Sequence, residues 1–134
     1  GQLQVARGNF TFRSGIEIAE HMLASQHRPT ALVCANDDMA AGAMLTAHRM
    51  GLEIPADLSV SGFDDTPVSE IIWPPLTTVH QPIRRIGHGA VQMVTQAIQA
   101  GRTSTEAGFQ SVPYRMVPRA STGRPALEAI PSAD

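Results

Sequence analysis

Ala31-Leu32-Val33-Cys34-Ala35-Asn36-Asp37 and, a helix's length further on, Leu58-Ser59-Val60-Ser61-Gly62-Phe63-Asp64-Asp65 decide how this chain folds. The first is a continuous apolar run of strand length that gives way at once to two polar residues, the pattern of a strand buried on both faces of a parallel sheet. Asn36 and Asp37 suit the cap of a helix, because their short side chains accept from the free N–H groups of a first turn. Met39, Ala40, Ala43, Met44 and Ala47 then recur at helical spacing, and Gly51 supplies a left-handed stop. Ile54-Pro55-Ala56-Asp57 turns the chain into the second run, read as the next strand. Strand, helix, strand in this order is a βαβ unit with a right-handed crossover. The predicted fold class is therefore α/β, a parallel sheet with helices on both faces.

The flanks extend this pattern. Leu3 to Ala6 reads as a short strand running into the turn formers Gly8 and Asn9, and Ser14-Gly15-Ile16-Glu17 reads as a capping box that starts a helix carrying Ile16, Ala19, Met22 and Leu23. Downstream, Thr66 to Ile72 has room for one or two helical turns, and Trp73-Pro74-Pro75 interrupts any regular element. Leu76 to Pro82 reads as extended. Arg84 to Ala100 carries Ile86, Ala90, Val91, Met93, Val94, Ala97 and Ile98 on a helical repeat, closed by Gly101. Gln110 to Val117 alternates as a strand would, with Pro113 marking an edge or bulge. The Ser-, Pro- and Ala-rich remainder reads as a frayed tail.

Composition bounds the function. The 134 residues hold 10 Lys+Arg against 12 Asp+Glu, a net charge of −2, with 43% hydrophobic and 16% charged residues. That is material for one packed domain, and it argues against long disorder. Without a cluster of like charge, the segment is not expected to hold a nucleic-acid duplex by phosphate neutralisation. Cys34 alone makes neither an internal disulfide nor a multi-thiolate metal site, and no apolar run approaches the roughly 18 residues of a membrane span. A soluble chain in a reducing compartment is expected. The opening Gly1-Gln2-Leu3-Gln4 has neither Met nor a leader, as a cut through a longer protein would.

Three pairs, Asn9-Phe10, Asn36-Asp37 and Asp64-Asp65, fall where three consecutive predicted strands end, about one βα unit apart. In an open parallel sheet, ligands bind beyond the carboxyl ends of the strands, so all three should face one crevice. A carboxylate accepts two neighbouring O–H or N–H groups, an amide donates and accepts, and a ring covers an apolar face; together they suit a polyhydroxyl or heterocyclic small molecule. Each member also has a plain structural reading: Asn36 and Asp37 as helix caps, Asp64-Asp65 as a turn, Phe10 as core. Other candidates are poorer. His21, His27, His48, His80 and His88 lack metal-ligand spacing, Ser59, Ser61 and Ser69 sit in no nucleophile elbow, and Gly87-His88-Gly89 lies inside a helical pattern rather than a phosphate loop. Neither a metal nor a cofactor is expected. Cys34 reads as an inert core thiol, and the Met39 to Ala47 stripe as core or, alternatively, a partner-facing surface.

Ala35-Asn36-Asp37-Asp38-Met39-Ala40-Ala41-Gly42-Ala43, then Gly51 through Asp65 with its Gly62-Phe63-Asp64-Asp65, then Pro75-Leu76-Thr77-Thr78-Val79-His80-Gln81-Pro82 resemble the lactose and purine repressor family of bacterial transcription regulators. Gly8-Asn9-Phe10 with Ser14-Gly15 is similar to that family's Gly-Asp-aromatic turn, with Asn9 where Asp is common. The resemblance runs from about Gly8 to Ser121. It implies part of a type I periplasmic-binding-protein-like fold, two hinged α/β lobes around a small ligand, of which this chain would be mostly the C-terminal lobe. On that basis 1–121 is a partial effector-binding domain: 1–80 the lobe core, 82–101 a crossover helix belonging with the other lobe, 108–121 returning strands, and 122–134 a flexible tail. The resemblance implies that Phe10 stacks on the effector, that Asp64 accepts from it, that Asn36 contacts sugars, and that Gln81 and Ile83 lie near it at the crossover. It also implies a homodimer whose surface draws on the helix Asp38 to Met50, the helix from Ser14 and the segment Val68 to Trp73, with Ala41, Met44, Ile72 and Trp73 as contacts.

The family's helix-turn-helix, hinge helix, most of the N-terminal lobe and its effector-clamping Arg lie outside this sequence. Operator DNA would be reached only through that absent helix-turn-helix, and the expected setting is the cytoplasm, with no membrane partner. The resulting expectation is a small-molecule sensing region, most simply for a sugar, controlling operator binding without enzymatic activity. Two other classes compete: a solute receptor of an ABC-type sugar importer, which shares the lobe fold, and a small hydrolase using Asp37, Asp64 and His80.

Overall fold

A computed structural model describes residues 3–101 and 109–124. The elements run α1 (Phe12–Leu23), β1 (Ala31–Val33), α2 (Asp37–Arg49), β2 (Ser59–Ser61), α3 (Val68–Ile71), β3 (Thr78–His80), α4 (Ile83–Gln99) and β4 (Arg115–Val117). The chain is thus mixed α/β, with β1 and β2 parallel in the register Leu32 to Val60. β3 and β4 pair antiparallel, Val79 opposite Met116. Two parallel bridges, Ser61 to Thr77 and Asp64 to His80, join the two ladders, so β1, β2, β3 and β4 succeed one another across the molecule.

The helix α2 organises the interior. Met39, Ala40, Ala41, Gly42, Ala43, Met44, Thr46 and Ala47 are all buried, between β2 on one side and α1 on the other. The approach to α1 is at backbone distance: a Cβ on Gly15 would run into the Met39 carbonyl, and one on Gly42 into the Phe12 carbonyl. Leu32, Leu58, Val60 and Leu76 close the core from the strands and their lead-ins, together with Ala19 and Leu23 of α1. Fully burying such side chains stabilises by about 1.5–3 kcal/mol each. This packing corrects the expected dimer surface. Ala41 is 1% exposed and Met44 0% exposed within the chain itself, so neither reaches a surface. The stripe is core because α1, β2 and α3 of the same chain all pack on α2.

Two local readings also change. α1 begins two residues before Ser14, and its cap is Thr11, extended at φ −97°, whose hydroxyl accepts from the Ser14 N–H. Asn9 Oδ1 in turn accepts from the Thr11 hydroxyl at 2.6 Å and fixes that cap, while Glu17 pairs with Arg13 instead of reaching back. Leu3 to Ala6 forms no strand; together with β1 it lines an open groove of about 1610 Å³, whose walls include Leu3 to Gly8 and Ala31 to Cys34.

At the far end, Ser121 is fully buried: its hydroxyl accepts from the Thr77 N–H and donates to the Val60 carbonyl. Thr122 bonds Thr77, and Gly123 exchanges bonds with Ser59. The ordered return therefore continues past 121, and the start of the expected tail is part of the packed structure; 125–134 lie outside the described residues, as does residue 108. α4 packs differently from the rest. Of its residues only Gly89 is buried, and Ile83, Ile86, Val91, Val94 and Ile98 are exposed.

Candidate functional site at the strand ends

Hydrogen bonds link the turns that carry the three predicted pairs. Asn36 caps α2 by accepting from the Met39 N–H at 2.9 Å, and its Nδ2 donates to the Phe10 carbonyl at 2.9 Å. The next N–H, of Asp37, donates to the Phe63 carbonyl at 3.0 Å. Asp64 follows directly, its N–H bonded to Val79 and its Oδ1 accepting from Gln81 Nε2 at 2.6 Å. Phe10, Asn36, Asp64 and Gln81 are thus stitched into one rim through the turns that carry them. Ile83, 60% exposed, opens α4 two residues beyond Gln81, whose carbonyl accepts from its N–H. The Phe10 ring is 63% exposed and not a core residue.

Backbone strain marks the same place. Among the described non-glycine residues, positive φ occurs at Phe10 (64°), Asp64 (109°) and Asp65 (56°). Such a conformation costs an L-residue roughly 1–2 kcal/mol and persists only where the surroundings enforce it.

Asp37, paired with Asn36 in the sequence reading, has a different task. It is fully buried, and its carboxylate accepts from the Thr66 N–H at 2.7 Å, the Thr66 hydroxyl at 3.1 Å and the Thr78 hydroxyl at 2.6 Å. Its place at the start of α2 adds the favourable end of the helix dipole. A Cβ on Gly62 would meet this carboxylate, which explains glycine there. Sealed and fully bonded, Asp37 offers no nucleophile or base, which removes one member of the hydrolase set. His80 does not complete that set either: its Nδ1 donates to Asp65 at 2.8 Å rather than to Asp64.

Asp65 is the anchor that sequence reasoning missed, together with its partner Arg119. Arg119 Nη2 donates to Asp65 Oδ1 at 2.7 Å and to Glu70 at 3.3 Å, and Nη1 donates to the Leu76 carbonyl and to Ser69 Oγ. Burial of Asp65 works against its ionisation, but hydrogen bonds from Arg119 and His80, and the charges of both, outweigh it and hold the carboxyl below the usual aspartate range. Nothing near Arg119 in sequence hints at this, since 54 residues separate it from Asp65. Burial pushes the Cys34 thiol up to about 11, so it stays protonated at neutral pH, in keeping with an inert thiol. Among the described residues, no group of three or more His, Cys, Asp or Glu is placed to hold a metal, and no helix is long and apolar enough to cross a membrane.

Ile72 and Trp73, the remaining dimer candidates, follow α3. Ile72 is half-buried against the core and Trp73 is 79% exposed, with Ile71 exposed beside it.

Comparison with known proteins agrees with this fold. A family model described as a periplasmic binding protein-like domain matches residues 2–122. The HTH-type transcriptional repressor PurR of Vibrio vulnificus (strain CMCP6) is 41% identical over 95 residues, 71% of this chain and 28% of that protein. The repressor CytR of Escherichia coli (strain K12) is 36% identical over 118 residues, 88% of this chain and 34% of that protein. The chain therefore spans about a third of the length of these curated relatives. Among solved structures, a dimeric Lac repressor with an 11-residue C-terminal deletion superposes with a TM-score of 0.79 at 38% identity, covering 89% of this chain and 43% of that one. The transcriptional regulator CelR in complex with cellobiose gives 0.78 at 28% identity, covering 85% and 34%. With its strand-end rim and a family match over nearly its whole length, the chain belongs to the periplasmic binding protein-like domain family.

Proposed function

We propose that this chain is most of one lobe of the effector-sensing region of a bacterial transcription regulator, and that a small polar molecule, most simply a sugar, binds at the rim formed by Phe10, Asn36, Asp64 and Gln81. The observation that carries this reading is the unbroken hydrogen-bonded path from the Phe10 carbonyl through Asn36, Asp37 and Phe63 to Asp64 and Gln81. Two strand-end turns and the turn that leads into α1 share one structural unit there. The spare bonding capacity fits a hydroxyl-rich ligand: Asn36 has used one amide hydrogen on Phe10 and has one left, and Asp64 has an oxygen free of Gln81. A hydroxyl can serve both, and the exposed Phe10 ring can cover an apolar ring face.

In this reading 1–80 is the lobe core, 82–101 crosses to a second lobe whose surface covers the exposed stripe of α4, and 108–121 returns. Ile72 and Trp73, with the exposed Ile71, contribute to a homodimer contact. The protein works in the cytoplasm without catalysis. Effector binding favours one lobe arrangement over another and so changes operator affinity, a coupling of typically about 1–3 kcal/mol. The repressor relatives support a regulator over an importer's receptor.

The test is a thermal-shift screen of the full-length protein against ribose, galactose, glucose, cellobiose, hypoxanthine, guanine and cytidine, since a ligand that binds only the folded state raises its melting temperature. At least one sugar should stabilise the wild type, and Asp64→Ala should abolish that shift while leaving dimerisation intact. An undiminished shift in Asp64→Ala would refute the assignment.

A further inference from the structure

We infer that Arg119 is a positioning residue for the ligand-facing turn, gripping Asp65 from behind so that Asp64 stays in its left-handed conformation. The inference rests on the proposed role of Asp64 and adds what holds that residue in place.

Two consecutive positive-φ aspartates are a strained pair, yet their side chains diverge. Asp64 bonds to Gln81 on the rim, while Asp65 turns back to Arg119 and His80. The Asp65 carboxylate is 11% exposed and the Arg119 side chain 14%, so their contact is largely shielded from water, where a charge-assisted bond is strong. The planar guanidinium reaches four acceptors on three segments at once: Asp65 in the turn, Ser69 and Glu70 on α3, and the Leu76 carbonyl leading into β3. Arg119 is itself fixed from below, its N–H donating to Thr77 Oγ1 at 3.0 Å, and it lies between β4 and the buried Ser121. The fork is thus anchored to the sheet and aimed at the turn. The bonds along the backbone of the turn are fewer: Asp64 N–H to Val79, Asp65 N–H to Thr78 Oγ1 at 3.4 Å, and Thr66 N–H to Asp37. Without Arg119, the preference of both residues for negative φ is opposed by these bonds and by the single contacts of His80 and Ser69 with Asp65 and of Gln81 with Asp64, none of which ties the turn to both α3 and the lead into β3. A lysine keeps the charge and can reach Asp65, but it cannot span the other acceptors with a fixed fork.

The experiment compares wild type, Arg119→Gln, Arg119→Lys and Asp65→Asn in the full-length protein by hydrogen exchange on peptides spanning residues 62–66, with peptides from 38–47 as the internal control. Arg119→Gln should speed exchange in 62–66 at least tenfold and leave 38–47 unchanged, with Arg119→Lys intermediate. Equal acceleration in both regions, or none in 62–66, overturns the inference, because the first marks a general loss of stability and the second an unaffected turn. Should Arg119→Gln fail to fold, Asp65→Asn decides: it keeps a residue that tolerates positive φ and removes the charge, so 62–66 should still loosen selectively, and a silent result overturns the inference. Binding of the sugar that stabilises wild type should weaken tenfold or more in Arg119→Gln. If that sugar binds Asp64→Ala as tightly as wild type, the effector reading fails while the exchange result on Arg119 stands.

Discussion

α2 and α4 carry opposite lessons about apolar patterning. α2 is built from Ala, Gly and Met with no sharp division into faces, and it is buried on nearly every side by α1 and β2. α4 has the clearest apolar stripe in the chain, yet Val91, Val94 and Ile98 of that stripe lie open. A stripe states which face of a helix would gain from burial. It does not state that the same stretch of chain supplies the cover. Small residues such as Gly15 and Gly42 carry little hydrophobic signal, yet they let two backbones meet and so bury everything around them.

The sharpest way to break this contrast is to truncate one apolar side chain on each helix. Met44→Ala should cost about 3 kcal/mol in urea unfolding of the full-length protein, since it leaves a cavity in a closed core. If α4 is covered only by a second lobe, Ile98→Ala should cost little in this chain alone and about 2 kcal/mol when that lobe is present. Equal small costs in both settings would mean that nothing docks on α4. Next in size is a pair of glycine substitutions. Gly42→Ala should destabilise by about 2 kcal/mol, because its Cβ meets backbone of α1 that cannot swing aside. Gly87→Ala on α4 meets no atom of this chain within 4 Å and, in this chain alone, should stabilise by about 0.8 kcal/mol through helix propensity, the smallest effect of the set, read as a rise in melting temperature.

Much of the site was legible because it follows from chain order. A strand that ends in polar residues and leads into a helix puts those residues on the rim of a parallel sheet, so Asn36 and Asp64 could be placed together without coordinates, whereas the strand expected before Phe10 does not form and the Asn36 bond to the Phe10 carbonyl brings that turn in. The division of labour within each pair was not legible. Asn36 and Asp37 look interchangeable as caps, yet Asn36 holds the Phe10 turn and Asp37 is sealed beneath Thr66 and Thr78. Asp64 and Asp65 likewise look like one motif, and only Arg119 makes Asp65 the anchor. Ser14 to Glu17 has the spacing of a capping box, but Thr11, braced by Asn9, is extended three residues earlier and takes the cap. Ala41 and Met44 were expected on a partner surface; the chain's own packing around α2 buries both.

From sequence alone came the types of most elements, the βαβ order, the strand-end placement of Asn36-Asp37 and Asp64-Asp65 and the helix stops at Gly51 and Gly101, because each depends on neighbours within a few residues along the chain. Tertiary structure alone decided which faces are covered, that Leu3 to Ala6 stands across a groove from β1, and that Arg119 and Ser121 return to lock the turn and the strands. Those outcomes depend on contacts across tens of residues, where shape and bonding complementarity select the partner and local pattern carries no record of it.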